Sequence, residues 1–216
     1  MKNCAFTSVL ATDNYLGGAI GLYYSLQAVQ SQYPFHLLVT DNVSSSVKSK
    51  LDEIGILYSI VPLINFDGET NRYETTFNKF HIFSLTQYDT ICFIDCDALI
   101  KENIDDIFHI APPGFIILDD VFLSGILILM DPNSKNIEDF LEYKDKGEDE
   151  SVWNTLYNAK ISADLIHYFG KIFHVSSCGY HDIKYWEHFT LEELKPLIDE
   201  MCSKKDFYSV ELLGRK

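Results

Sequence analysis

Two acids one residue apart, Asp95 and Asp97, sit inside the run Ile91-Cys92-Phe93-Ile94-Asp95-Cys96-Asp97-Ala98-Leu99-Ile100. Apolar residues of β-forming type lead straight into them, a pattern that reads as a buried strand ending in carboxylates. In open α/β sheets the C-terminal edge of the strands is where ligand crevices form. Two carboxylates held there repel each other unless a cation lies between them, and their oxygens suit Mg2+ or Mn2+. A solvated turn is the competing reading, because Asp is common in turns. The residues alone leave both open.

The surrounding pattern supplies a scaffold. Residues 4–10 read as a strand and 12–15 as a polar turn, while 17–30 places Ile20, Tyr23, Tyr24 and Val29 at helical spacing. Residues 35–40 are a second strand. Residues 44–54 open with serines able to cap a helix and carry Val47, Leu51 and Ile54 on one face; 57–61 form a third strand closed by Pro62. This alternation predicts parallel pairing, right-handed crossovers and an α/β sheet of the nucleotide-binding type. After a polar loop with Asp67-Gly68, residues 73–87 predict a helix with Phe77, Phe80 and Ser84 on one face, leading into the strand before the acids. Residues 115–118 and 122–130 read as further strands, and 134–143, 148–157 and 191–201 as helices. Residues 165–169 are a short apolar run ending at Gly170.

The chain has 216 residues, 47% of them apolar, enough for one sizeable core and too few for two, so a single domain is expected. Lys and Arg number 17 against 32 acids, a formal charge of −15 with no basic block, which excludes a nucleic-acid backbone as partner. A phosphorylated ligand stays possible where a metal and a few lysines supply local positive charge. No apolar run is long enough to span a membrane. Residues 4–11 are short and contain Thr7 and Ser8, so they read as a strand and not as a signal segment. Cys4, Cys92, Cys96, Cys178 and Cys202 are scattered without a CxxC pair, which points to buried thiols in a reducing compartment. A soluble, cytoplasmic protein is therefore expected.

Taken together, these blocks resemble the glycogenin-like members of glycosyltransferase family 8. Residues 6–26 look like the family's opening strand, nucleotide loop and helix, and residues 78–88 are similar to the helix before its metal strand. Asp95-Cys96-Asp97 falls on the DxD motif. Asp120-Val121-Phe122-Leu123-Ser124-Gly125 resembles the Asp-x-x-Asn-Ser-Gly strand, and Gly147-Glu148-Asp149-Glu150 the Gly-Gly-Asp-Gln turn. His167-Tyr168-Phe169-Gly170-Lys171 resembles a late His-x-x-Gly segment. Six blocks in order make a specific signal where a lone DxD is weak.

The resemblance implies one GT-A domain over residues 1–216, with a Rossmann-like, mostly parallel central sheet flanked by helices. Residues 1–100 would form a nucleotide-binding half, 101–175 a sugar and acceptor half, and 176–216 a helical tail. It implies Mn2+ or Mg2+ held by Asp95, Asp97 and His167, although His167 taken alone reads as a core histidine. A UDP-sugar would be held by Val9, Leu10, Thr12, Asp13 and Tyr15 at the base and ribose, Tyr15 being equally an ordinary turn aromatic. Cys96, Ser124 and Gly125 would lie close to the donor. Lys79 and Arg72 would reach the diphosphate or sugar, the alternative for each being a solvated surface cation. Asp120, Asp149 and Glu150 would hold sugar hydroxyls, and Gly170 and Lys171 the departing phosphates. Three departures stand out. Leu123 replaces Asn, Phe173 occupies the place of a phosphate-binding lysine, and only residues 159–164 separate the Asp149 helix from the His167 segment. The acceptor is accordingly not carried over from glycogenin.

The implied reaction is hexosyl transfer from a UDP-sugar such as UDP-glucose to a glycan or other hydroxyl acceptor, with Asp149, Asp120 and Lys79 as catalytic residues. Retention at the anomeric carbon is the family precedent; covalent attack by Asp149 and ion-pair stabilisation both remain open. A DxD phosphohydrolase is one alternative, since an apolar strand followed by Asp-x-Asp also opens such sites. A nucleotide-sugar-binding module without catalysis is another.

Overall fold

The computed structural model describes residues 2–65, 75–118, 122–143 and 172–174. Strand β1 (Cys4–Leu10) leads through a 3-10 turn (Asp13–Tyr15) into helix α1 (Leu16–Ala28), and β2 (Phe35–Thr40) leads into α2 (Ser45–Ile54) and β3 (Leu57–Val61). The three strands keep the bounds predicted from their apolar runs. Ser44 caps α2, its hydroxyl oxygen accepting the Val47 N–H at 3.4 Å. Gly55, at φ 82°, closes that helix in the left-handed region that glycine enters without strain. A 3-10 segment (Thr76–Ser84) precedes β4 (Thr90–Ile94) and β5 (Ala98–Ile100); another short one (Asp105–His109) precedes β6 (Gly114–Leu118) and β7 (Phe122–Met130). A single helical turn α3 (Glu138–Leu141) and strand β8 (Ile172–His174) complete the described elements.

Six strands form one sheet in the order β3-β2-β1-β4-β7-β6, and β5 pairs with β8 in a separate ribbon. The pairs β1–β2, β1–β4 and β2–β3 are parallel, as the βα alternation predicts, whereas β7 runs antiparallel to both β4 and β6. Alternate residues of the central strands point to opposite faces. Phe6, Leu37, Val39, Cys92 and Ile94 pack with α1 and α2 on one face; Ala5, Leu38, Ile91 and Phe93 pack with Phe77, Phe80, Phe83 and Phe140 on the other. Covered on both sides, these strands read in sequence as continuous apolar runs.

Three expectations change. The segment expected as a helix over 73–87 is a 3-10 helix from Thr76 to Ser84, residues 73 and 74 lying outside the described part. Side chains three apart eclipse in that geometry. Phe77, Phe80 and Phe83 form the buried row in place of Phe77, Phe80 and Ser84, and Ser84 is exposed. The Phe80 and Phe83 rings stack on Phe140 with centroids 4.5 and 4.6 Å apart. The helix expected over 134–143 shortens to Glu138–Leu141, because Asp131 and Ser134 satisfy local backbone and side-chain bonds as turns. Helix α1 buries Leu16, Ala19, Leu22 and Leu26 besides Ile20. It packs on β1, β2 and β5 together and so has no single core-facing stripe. The expected elements at 148–157, 165–169 and 191–201 lie outside the described residues. No helix among the described residues is long and apolar enough to cross a membrane.

Candidate active site

The chain lays down β1, β2 and β3 in one direction across the sheet and then returns to place β4 on the other side of β1. Connections leave β1 and β4 in opposite senses, and the crevice at such a switch point is the usual ligand site of an open α/β sheet. A cavity of about 200 Å³ opens there. Val9, Ala11 and Tyr15 line it from β1 and the turn that follows; Phe93, Asp95, Cys96 and Asp97 line it from the end of β4; Thr75, Thr76 and Lys79 line it from the 3-10 segment.

The two acids lie on a tight turn between β4 and β5, closed by the Ala98 N–H donating to the Asp95 carbonyl at 3.1 Å. Asp97 is 8% exposed, an unusually dry setting for a carboxylate. Lys79 Nζ lies 3.1 Å from Asp95 Oδ1 and 5.8 Å from the centre of the Phe93 ring. The 3-10 geometry puts Thr76 and Lys79, three apart, in one row facing the cavity. That segment is clamped by buried polar side chains. Asn78 accepts the Ile64 N–H and donates to the Ile64 and Thr75 carbonyls, all at 2.9 Å, and His81 Nε2 bonds the Pro62 carbonyl at 2.7 Å.

Of the residues expected at the base and ribose, Val9 and Tyr15 line the cavity. The Leu10 side chain does not reach it: it is fully buried in the core, on the opposite face of β1 from Val9. Thr12 is half-buried, and Asp13 is exposed with Oδ1 accepting the Ser44 N–H at 2.9 Å. This ties the turn after β1 to the start of α2. Cys96 lies under the carboxylates, where burial pushes its thiol up to about 12, so it is a neutral structural group and not a nucleophile. Thr75, Thr76, Ala11 and Phe93 line the cavity without having been singled out in the sequence, because nothing in their local pattern marks them.

Ser124 and Gly125 lie on β7. Its register with β4 ends at Ile94–Leu127, which carries their backbone past the end of β4, beside the Asp95–Asp97 turn. The register between β6 and β7 also breaks at Phe115/Ile116, opposite this stretch. Phe173, placed at a phosphate loop by the resemblance, is inside β8 and paired with Leu99; its neighbour His174 is paired with Ala98, next to Asp97. Arg72, Asp120, Asp149, Glu150, His167, Gly170 and Lys171 lie outside the described residues. Among the described residues no three metal-ligating side chains cluster. Asp95 and Asp97 nevertheless bring carboxylate oxygens to one cavity, the donor type that Mg2+ and Mn2+ take when diphosphate oxygens complete the shell.

Residues 6–120, more than half of the chain, match the model of glycosyl transferase family 8. The chain belongs to this family. Family relatives include glycogenin-1 of Caenorhabditis elegans, 29% identical over 151 residues that make up 64% of this chain and 34% of that protein. Rabbit glycogenin-1 is 27% identical over 197 residues, 82% of this chain and 57% of that protein. The chain thus spans between about a third and three fifths of the length of these two glycogenins. UDP-glucuronate:xylan alpha-glucuronosyltransferase 1 of Arabidopsis thaliana is 36% identical over 134 residues, 59% of this chain and 20% of that protein. The glycosyltransferase GlyE of Streptococcus pneumoniae superposes with a TM-score of 0.62 at 14% identity, covering 91% of this chain and 63% of that one. The galactosyltransferase LgtC superposes with a TM-score of 0.57 at 15% identity, covering 70% of each chain. At such identities the likeness carries the fold alone, and that fold is GT-A.

Proposed function

We propose that this family 8 chain transfers a hexose from a UDP-sugar to a hydroxyl of a glycan or other acceptor, with Mn2+ or Mg2+ at Asp95 and Asp97. The observation that carries the reading is the convergence of two carboxylates and Lys79 on one cavity at the β1/β4 switch point. Glycosyl transfer builds negative charge on the departing UDP, and opposing that charge is the main electrostatic demand of the reaction. A divalent ion, when bound, supplies Lewis-acid stabilisation of the diphosphate. Lys79 adds an ammonium on the same side, Val9 and Tyr15 hold the base, and Thr76 offers a hydroxyl from the Lys79 row. By resemblance, Asp120, Asp149 and Glu150 hold the sugar, and Arg72, Gly170 and Lys171 the phosphates. By resemblance, His167 supplies the third ligand. The buried free thiols Cys4, Cys92 and Cys96 agree with a reducing, intracellular setting.

The test is hydrolysis of UDP-glucose and related donors with and without Mn2+, by the wild type and by Asp97→Ala. The expected result is Mn2+-dependent release of UDP that falls by about 100-fold in the variant. Equal rates in all three reactions overturn the metal role. His167→Ala is expected to weaken Mn2+ activation, and unchanged activation in that variant removes the imidazole from the metal site. Release of phosphate from an aryl phosphate selects the phosphohydrolase alternative, and donor binding without turnover selects the binding module.

A further inference from the structure

The paired ladder between β1 and β4 runs from Cys4–Thr90 to Thr7–Phe93 and stops there, just short of the cavity. Beyond it, Cys96 supplies two polar ties. Its Sγ donates to the Val9 carbonyl at 3.0 Å and lies 3.1 Å from Ser8 Oγ. A thiol has a single proton. With that proton committed to Val9, the Ser8 hydroxyl must donate to sulfur, so the order is Ser8 O–H to Cys96 S–H to Val9 carbonyl. Ser8 is fully buried and Cys96 nearly so, a setting in which these bonds are stronger than in water.

These bonds tie the carboxylate turn to the end of β1, and further bonds among the described residues brace each side. On the β1 side, the Ala11 carbonyl accepts from Thr40 Oγ1 at 3.1 Å and from Asn42 Nδ2 at 3.2 Å, and Asp13 is held by Ser44. On the β4 side, the carboxylate turn closes on itself through Ala98 and Asp95. The bonds through Cys96 thus fasten the middle of the carboxylate turn to the end of the strand that leads into the base-binding loop. We infer that Ser8 and Cys96 are positioning residues that set the span between the carboxylate turn and the base-binding loop, and so tune affinity for ligands that reach across both. The inference rests on the proposed UDP-sugar site.

Its test uses two ligands of different reach. UDP with Mn2+ must touch both loops, whereas uridine occupies the β1 side alone. Binding of each is measured for the wild type, Ser8→Ala, Cys96→Ala, Cys96→Ser and the Ser8→Ala/Cys96→Ala double variant, with a melting curve for each protein. The expected result is that each alanine variant weakens UDP·Mn2+ binding by about fivefold, the scale of one lost hydrogen bond, and leaves uridine binding within about twofold. The double variant is expected to be no weaker than the worse single one, because both cut the same chain. Cys96→Ser, which keeps a donor and an acceptor, is expected to fall between Cys96→Ala and the wild type. UDP binding unchanged in the alanine variants overturns the inference, as does a parallel loss for UDP and uridine, which marks a merely structural role. If Cys96→Ala does not fold, Ser8→Ala decides by the same criteria. Wild-type protein that binds uridine but not UDP·Mn2+, or neither ligand, overturns both the inference and the function it rests on.

Discussion

Lys79 Nζ stands 3.1 Å from Asp95 Oδ1, with its ammonium also 5.8 Å from the centre of the Phe93 ring, so a cation is held beside the first acid of the DxD turn. Both side chains of the pair are mostly shielded from solvent, where a charge acts more strongly than it does in water. Lys79→Met removes that cation while keeping an unbranched apolar chain over Phe93. Its kcat for donor hydrolysis is expected to fall about 100-fold, the scale of losing one stabilising group at a developing anion. Lys79→Arg is expected to retain part of the rate. Steady-state kinetics on a UDP-sugar measure both, and an unaltered kcat in Lys79→Met removes the residue from the chemistry.

Ligand and metal should stabilise the fold only together. UDP at a hundredfold excess over its Kd, with Mn2+ present, adds about 2.7 kcal/mol to the native state, or about 5–10 °C in Tm for a chain of this size. Chelation by EDTA, or Asp97→Asn, is expected to erase most of that shift. A thermal scan with UDP alone, Mn2+ alone and the pair measures it; an equal shift for UDP with and without metal argues against the ion.

Asn78 is fully buried and makes three bonds at 2.9 Å, two to Ile64 and one to Thr75. Asn78→Ala leaves the Ile64 N–H and carbonyl without these partners, at a cost of about 2–4 kcal/mol. Urea denaturation reads that loss. Because Asn78 precedes Lys79, kcat is expected to fall in the same variant even under conditions where the protein remains folded. Full stability in the variant shows that the loop at 62–65 is held by other contacts.

His36 is buried between Tyr88 and Ser59, with Nδ1 3.1 Å from the phenol oxygen and Nε2 2.9 Å from the hydroxyl oxygen. Burial pushes its pKa below the ordinary 6.5. Burial likewise lowers His81, partly offset by the Pro62 carbonyl and by Asp41. Below pH 6.5 the unfolded chain takes up protons that the folded chain refuses, so stability is full above that pH. It is lost as the pH falls from 6.5 through the lowered folded values. Unfolding free energies measured from pH 7.5 down to 5 are expected to fall, and His36→Gln to show a shallower slope. An identical slope in the variant assigns the dependence to other groups.

Much of the scaffold was legible in local pattern. The apolar runs at 4–10, 35–40, 57–61 and 122–130 reappear as β1, β2, β3 and β7 with those bounds, and Ser44 caps α2 as its position suggested. A strand buried on both faces, as β1 and β2 are, leaves an unbroken apolar signature, and a hydroxyl cap acts within three residues, so neither needs the rest of the chain. Strand β3, an edge strand with Leu57 and Ile60 exposed, was legible from its β-forming residues and the closing Pro62. The 3-10 segment was less legible, because Phe77, Phe80 and Phe83 fit a three-residue turn only once Phe140 provides a surface for their rings. The register of β8 was not legible at all, and with it the place of Phe173 inside a strand.

The sequence by itself determined that the chain is an α/β protein whose strand at 91–94 ends in Asp95 and Asp97, since side-chain periodicity and spacing are properties of neighbouring residues. Tertiary structure alone decided that β4 returns to lie beside β1, that Lys79 rests on Asp95, and that Ser8 and Val9 hold Cys96. Those contacts join residues far apart along the chain, and which of them form depends on the free energy of packing the whole core, a quantity that no short stretch carries.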